Sequence, residues 1–283
     1  MRTIIVTARL LPFLFSFLRD RRSWLVAGRP LARSAEFHRR RAVAIVDTIA
    51  ALGPTFVKLA QVLAARADLV PEPYLSALGS LHDQVPPISF DEVSATIVDA
   101  YGATPDACFE RFDREPLAAA SLGQVHRAQL HGEEVVVKVL RPGVEALIAE
   151  DVKAADRILG VIAKRWSNLH VVALQGAVTE FASRVGDEMD FRKEGAIAEE
   201  IRHNFAGSRD VVVPKVVHDM TRQRVLVLEY LEGRRIDAIG PWIAEGRVRS
   251  GALVRTVMEM YIHDASRRAL SRRSASRQPS RRA

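Results

Sequence analysis

Residues 117–140 read LAAASLGQVHRAQLHGEEVVVKVL, and this stretch decides the predicted fold. It begins with a run of small residues, continues as two segments rich in alternating apolar residues, and ends in a strand that carries Lys138. The turn at His131-Gly132 joins the two segments in a pattern typical of a β-hairpin. Because helical periodicity flanks the hairpin on both sides, the sequence predicts an α+β fold, with a small antiparallel sheet packed against helices.

Apolar periodicity places the other elements along the chain. The spacing predicts helices at 24–50, 54–70, 90–101, 144–165, 172–206 and 253–263, and further strands at 211–213 and 224–230. The apolar stretch TIIVTARLLPFLFSFL at 3–18 has two interpretations that stay open, a helix lying on an anionic lipid surface or a helix packed on the body of the protein. It is too short and too interrupted to span a bilayer.

Lys138 and Glu194 form the predicted chemical centre. Lys138 lies between valines in a strand, so its ammonium must either reach solvent or find an anion. In the helix at 187–206, Glu194 follows Phe191 by three residues and precedes Ala198 by four, which places it within the inward stripe. A carboxylate on that face needs a cation, and Lys138 in the adjacent hairpin is the available one. The alternative is that Glu194 only borders the apolar face.

Three further segments carry polar or small residues that could contact a ligand. The run Ala118, Ala119, Ala120 and Ser121 precedes the first hairpin strand and resembles a phosphate-covering loop, although a simple small-residue turn is the alternative. The strand at 224–233 ends in Glu229, Tyr230 and Leu231, whose main chain could bond an adenine edge or could simply close a core strand. On the helix that begins at Pro54, Lys58 and Gln61 share a neighbouring face.

Charge and cysteine content argue against specific nucleic-acid binding and against a disulfide-stabilised fold. The chain has 283 residues, 41 basic and 34 acidic, with a net charge of +7. Seven of the arginines lie in 265–283, so the remaining 41 − 7 = 34 basic residues balance the 34 acidic ones. The basic tail is predicted to be disordered and to bind no specific nucleic acid. With a single cysteine, the chain has no disulfide framework, which fits a reducing cytoplasm.

Several polar residues are predicted to have no catalytic or metal-binding part. His126, His203 and His218 show no mutual spacing typical of a metal site, so they are interpreted as ordinary histidines. Asp151 and Lys153 are predicted on a solvated helix face.

Taken in order, four segments resemble the UbiB/ADCK (AarF) family of atypical, protein-kinase-like proteins. GPTFVKLAQVLAARADLVP at 53–71 is similar to its KxGQ helix, and AAASLGQVHRA at 118–128 to its alanine-rich loop. VVVKVLRPGV at 135–144 resembles the lysine strand, and DEMDFRKEGAIAEEIRHNF at 187–205 the helix with an ExD motif and the pairing glutamate. The resemblance implies a kinase-like small lobe with an N-terminal helical extension and an ATP or ADP ligand.

The resemblance also implies individual roles. Lys138 would contact the nucleotide phosphates, and Glu194 would orient it. Lys58 and Gln61 would insert into the nucleotide cleft and restrain protein phosphorylation. The remaining implied positions are the ExD acids Glu188 and Asp190, with Glu188 the partner of Lys58; the covering loop Ala118 to Ser121; and the adenine-holding segment Glu229 to Leu231.

Two departures from the family pattern change the expectation. Ala60 stands where the motif has glycine, and no asparagine follows His263-Asp264, nor does an Asp-Phe-Gly triplet follow later. The Mg²⁺ expected for the family therefore lacks its ligands, and the large lobe is expected to be mostly missing. We expect a catalytically incompetent nucleotide-binding half. The alternatives are a nucleotide-responsive pseudokinase scaffold with a protein partner, a binder of lipid or polyanions through the Arg-rich tail, and a non-functional fragment.

The resemblance and the composition together predict five segments and a cellular setting. The segments are a helical, membrane-peripheral region at 1–52, a KxGQ-type extension at 53–115, the nucleotide lobe and hinge at 116–235, the start of a large lobe at 236–264 and the tail at 265–283. The family works on isoprenoid-quinone lipids at membranes, so a membrane or isoprenoid lipid is an expected partner. The expected location is cytoplasmic and peripheral to the membrane.

Overall fold

A small antiparallel sheet with helices on both faces organises the computed structural model, which describes residues 2–20, 33–83, 86–165, 169–234 and 236–275. Helices α1 to α6 span Arg2–Asp20, Ala35–Leu52, Pro54–Ala64, Tyr74–Gly79, Phe90–Tyr101 and Pro105–Cys108. Helices α7 to α11 span Val144–Arg165, Leu169–Glu188, Phe191–Asn204, Gly240–Ala244 and Ser250–Ala275. Strands β1 to β5 span Arg111–Phe112, Ala118–Ala119, Gly123–Leu130, Glu133–Leu140 and Val225–Glu229.

The strands pair in the order β1-β3-β4-β5, and β2 pairs with the other end of β3. The hairpin between β3 and β4 turns at His131 and Gly132, which both have positive φ, 53° and 79°. Two successive residues of this kind form the turn whose twist matches that of the flanking strands. The register places Lys138 between Val125 on β3 and Leu226 on β5, in the middle of the sheet.

Alternating side chains of the sheet enter two different cores. Val135, Val137 and Val139 pack with Val93 and Ile97 of α5 on one face. The other face supplies Leu140 and Leu226, which pack with α7, α8 and Phe191 of α9. Lys138 lies on this second face, beside α9. The observed architecture confirms the predicted α+β fold with an antiparallel sheet and an N-terminal helical extension.

Helix α1 packs on the body of the protein, one of the two alternatives left open for it. Val6 is fully buried, and Arg2 Nε lies 2.5 Å from Asp151 Oδ1 on α7. The prediction that Asp151 lies on a solvated face is therefore wrong, since the Arg2 guanidinium compensates its buried carboxylate. Ile4 and Phe15 stay exposed on the other side of α1. No helix among the described residues combines the length and apolarity needed to cross a membrane.

Removing the Arg2 guanidinium should destabilise the protein. The Asp151 side chain is fully buried, so Arg2→Ala leaves a carboxylate without its cation, at a cost on the order of 2 kcal/mol in the free energy of unfolding. Urea denaturation measures this loss. Arg39→Ala is the control, because it breaks an exposed pair with Glu36 and should leave the free energy of unfolding nearly unchanged. Equal losses in the two variants would contradict this role for Arg2.

Three of the predicted elements differ from the structure. α3 ends at Ala64 rather than at 70, since the chain continues as tight turns in which Leu69 N donates to the Arg66 carbonyl. The helix predicted at 172–206 is interrupted at Asp190, whose carboxylate caps α9. Residues 211–213 form no strand before Pro214, which lacks the N–H a ladder needs.

The Arg-rich tail is helical further than predicted. α11 continues to Ala275, so the prediction of disorder is wrong for the first part of 265–283. Alanine and arginine are both strong helix formers, which favours continuation of the helix. Residues 276–283 lie outside the described residues, as does part of the helix predicted at 24–50.

His126 is buried in a polar network beneath the sheet. Its Nδ1 lies 2.8 Å from the Asp113 carbonyl and its Nε2 2.9 Å from the Gln124 amide. Burial lowers the pKa of His126 below its ordinary value. Below about pH 6.5 the unfolded chain therefore binds a proton at this position that the folded chain does not.

We expect the free energy of unfolding to fall as the pH drops below about 6.5, by at most about 1.4 kcal/mol per pH unit from this residue. Urea denaturation between pH 7.5 and pH 5.5 (about one unit either side of the unfolded pKa) measures the slope. His126→Gln should flatten it, whereas His203→Gln, at an exposed position, should not. An unchanged slope in His126→Gln would contradict the assignment.

Candidate functional site

A cleft of about 550 Å³ lies where the alanine-rich loop, β4, α3 and α9 meet. Its volume falls in the range of small-molecule sites, about 300–1,000 Å³. Its lining combines three lysines, three acids and a loop of small residues: Lys58, Ala120, Ser121, Leu122, Gly123, Lys138, Asp187, Glu188, Phe191, Lys193, Glu194 and Ile197.

Lys138 and Glu194 are paired at the centre of this cleft. Lys138 Nζ lies 2.7 Å from both carboxylate oxygens of Glu194 and 4.7 Å from the centre of the Phe191 ring. Phe191 is fully buried, so it forms a fixed floor beneath the ammonium. The Lys138 side chain is 28% exposed and that of Glu194 40%, which leaves the ammonium accessible to a ligand entering the cleft.

A second pair connects the helical extension to the cleft. Lys58 Nζ of α3 lies 2.6 Å from a carboxylate oxygen of Glu188, at the end of α8. The pairing matches the partner that the resemblance implied. Gln61 does not line the cleft, because it lies on the other side of this pair, in a smaller concavity of about 240 Å³ that also includes Arg184.

The alanine-rich loop forms a tight turn over the cleft. Ala118 and Ala119 are held in β2 and do not line it, while Ala120 N donates to the Gly123 carbonyl at 2.8 Å. At Gly123 a Cβ atom would lie 2.5 Å from the Val139 carbonyl oxygen. The loop therefore crosses β4 at a distance that only glycine allows.

Arg141 fixes this loop from below, and sequence reasoning missed it. Its Nε donates to the Ala120 carbonyl at 3.1 Å and its Nη2 to the Pro86 carbonyl at 2.7 Å. Burial lowers the pKa of Arg141, although a guanidinium stays charged at neutral pH. Arg141 thus connects the loop to the segment that precedes α5. Its position directly after the strand that carries Lys138 was the sequence feature that could have indicated a role near the cleft.

The remaining acids divide between the cleft and its surroundings. Asp190 does not line the cleft; it caps α9 and pairs with Arg192 at 2.8 Å. The hydrogen bond from Arg192 lowers the pKa of Asp190 below its usual range. Asp187 and Lys193, which were not predicted, line the cleft and pair at 2.5 Å. The hydrogen bond to Asp187 raises the pKa of Lys193.

The segment predicted to hold adenine lies outside the cleft lining. Glu229 N donates to the Lys215 carbonyl at 2.9 Å, and Tyr230 N to the Glu134 carbonyl at 3.0 Å. Two of the main-chain donors expected for adenine are therefore already used within the protein. Leu231, at the end of this segment, is 38% exposed.

The lysines of the cleft could bind an anionic ligand. Each lining lysine is paired with one lining acid, so a phosphate could share or replace a carboxylate on an ammonium. Within the described ranges, no three His, Cys, Asp or Glu side chains converge as metal ligands. A larger concavity of about 720 Å³ between α9 and α11 includes Asp210 and Glu259, and no Lys or Arg is among the described side chains that line it.

A family model identifies the fold that holds this cleft. The ABC1 atypical kinase-like domain matches residues 80–270, which include the loop, the hairpin, α9 and β5. The chain belongs to this family. The predicted membership of the UbiB/ADCK group is confirmed, and the sheet and helices of this ABC1-family chain are those of a kinase-like small lobe.

Similar proteins are found in several bacteria. The uncharacterised protein sll0095 of Synechocystis is 40% identical over 242 residues, which cover 83% of this chain and 41% of that protein. A probable protein kinase UbiB of Azotobacter vinelandii is 40% identical over 211 residues, 73% of this chain and 38% of its own. The chain thus spans about two fifths of these curated relatives.

A solved structure of Rv3197 with erythromycin, from Mycobacterium tuberculosis, is 30% identical and has a TM-score of 0.49. The similarity covers 72% of this chain and 52% of that one.

Proposed function

We propose that the cleft of this ABC1-family chain binds ATP or ADP, with the phosphates at Lys138. The observation that carries the proposal is the two-oxygen pairing of Lys138 with Glu194 beneath the alanine-rich loop. In kinases, a strand lysine held by a helix glutamate is the arrangement that positions nucleotide phosphates. The family match supports the same ligand class.

Each part of the cleft has a proposed contribution. Glu194 holds the Lys138 ammonium in place, and Phe191 prevents it from turning inward. Of the loop from Ala118 to Ser121, Ala120 and Ser121 cover the phosphates with small side chains, so that the main chain can approach them. Lys58 occupies the cleft edge through its pair with Glu188. The adenine contacts Glu229 to Leu231 through groups other than the N–H donors of Glu229 and Tyr230.

Binding, rather than turnover, is the activity proposed for residues 1–283. The catalytic-loop and Asp-Phe-Gly residues that the family resemblance implies have no counterpart among them. For the setting, we propose isoprenoid-quinone lipid metabolism at a cytoplasmic membrane surface. The UbiB relatives and the exposed apolar residues Ile4 and Phe15 of α1 support this setting.

Thermal unfolding with and without nucleotide tests the binding proposal. At 100 times its Kd, ADP should stabilise the native state by about 2.7 kcal/mol, which raises Tm by several degrees. Sodium pyrophosphate is the control for simple anion binding. A rise with ADP that exceeds the rise with pyrophosphate supports a nucleotide site. Identical rises in Tm with the two compounds would show that the cleft binds anions without recognising the nucleoside. No rise in Tm with either compound would contradict the proposal.

Arg141→Ala should weaken nucleotide binding indirectly, through the loop that Arg141 supports. Because Arg141 donates to the carbonyls of Ala120 and Pro86, its loss releases the loop, and we expect ADP affinity to fall about 3–10-fold. Calorimetric titration measures the change. Arg157→Ala, at an exposed position on α7, is the matched control and should bind normally. Unchanged ADP affinity in Arg141→Ala would show that the loop needs no such support.

A further inference from the structure

A second cavity, of about 180 Å³, lies inside the N-terminal helical region. Helices α1, α2, α3, α7 and α8 line it, and it shares no lining residue with the cleft. All twelve lining residues are Ala, Val, Leu, Ile or Phe. The cavity is therefore chemically unlike the charged cleft, and a nucleotide has no partner there.

The walls of this cavity are formed by buried and half-buried residues. Val6, Phe56, Ala60 and Val178 are at most 6% exposed, and no lining residue is among the exposed ones. Alanines form part of two facing walls, Ala60 on α3 and Ala155 on α7, and their small side chains leave the space open. A water molecule needs two to four polar partners, about three on average, and these side chains offer none.

We propose that this cavity is a binding site for an uncharged hydrocarbon group about the size of benzene. Protein cavities of about 150 Å³ that are lined by Leu, Ile and Phe stay dry and bind benzene, so volume and lining both fit. An occupant would restore the dispersion contacts that the wall atoms lack. A charged or strongly polar group is excluded, because its desolvation would have no compensating hydrogen bond.

Benzene titration of the whole chain tests the site. At ten times its Kd, benzene should raise Tm by roughly 3 °C. Ala155→Leu fills the cavity from α7 and should abolish this rise. Ala149→Leu, at an exposed position of the same helix, is the matched control and should retain it.

Methyl NMR keeps the proposal testable if Ala155→Leu does not fold. In the unsubstituted chain, benzene should shift the methyl resonances of Leu59, Leu174 and Val178, which line the cavity, and leave those of Val135 and Val137 beneath the sheet unchanged. Unshifted cavity methyls, or a rise in Tm that Ala155→Leu retains in full, would overturn the proposal. Neither result depends on nucleotide binding.

Discussion

Lys138→Ala is expected to remove a large part of the stabilisation of the chain by ADP. The substitution removes the ammonium from the centre of the cleft, and a charge-assisted contact to phosphate is worth about 1.5–3 kcal/mol, so affinity should fall about 10–100-fold. At an ADP concentration of 100 times the Kd of the unsubstituted chain, the rise in Tm should then fall to between about a half and about a sixth of its full value. Because both partners of the Lys138–Glu194 pair are more than a quarter exposed, stability without ligand should change by less than about 1 kcal/mol.

Two further variants make this result specific. Lys153→Ala removes a lysine from an exposed position on α7 and should retain the full response to ADP. Glu194→Gln keeps the shape of the partner but removes its charge, so we expect an intermediate loss of affinity. A Lys138→Ala protein that responds to ADP as strongly as the unsubstituted chain would contradict the proposed place of the phosphates.

Gly123→Ala is expected to lower the free energy of unfolding by about 2–3 kcal/mol, the range of forced overpacking. The added Cβ would lie 2.5 Å from the Val139 carbonyl oxygen, which is a backbone atom and cannot turn away as a side chain would. The start of β3 must therefore move away from β4. Urea denaturation measures the loss.

Gly176→Ala is the matched control for this effect. Gly176 lies within α8, and a Cβ atom there meets nothing within 4 Å. The same chemical change should stabilise the protein by about 0.5–1 kcal/mol, because alanine loses less conformational entropy in a helix than glycine. The two substitutions are thus expected to change the free energy of unfolding in opposite directions. An unchanged free energy of unfolding in Gly123→Ala would show that the loop can move without cost.

The sequence predicted the pairing of Lys138 with Glu194 because it rests on short-range patterns. Strand alternation placed Lys138 on one face of β4, and helical spacing placed Glu194 on the inward stripe of α9. Since antiparallel pairing fixes the hairpin register, these two patterns were enough to expect the contact that the structure contains. The pair formed by Lys58 and Glu188 was implied only by the family resemblance.

Features that depend on contacts between distant segments escaped prediction. The buried ion pair of Asp151 joins α7 to the second residue of the chain, a separation that no local pattern encodes. The support of Ala120 by Arg141 likewise depends on how the loop returns over β4. Helix ends were also missed, because the capping of α9 by Asp190 competes with a continuous apolar stripe. The periods of strands and helices determine which face of an element a side chain lies on. Tertiary packing determines where each element ends and which elements contact one another.

Labelling with an acyl phosphate of ATP tests the central claim most directly. Such a reagent transfers its acyl group to a lysine amine near the bound phosphates and releases ATP, and mass spectrometry then identifies the acylated residue. We expect Lys138 to be the main acylated residue, with labelling suppressed by excess ADP and absent from Lys138→Ala. Acylation spread over exposed lysines such as Lys153 and Lys215, without protection by ADP, would contradict a nucleotide site at this cleft.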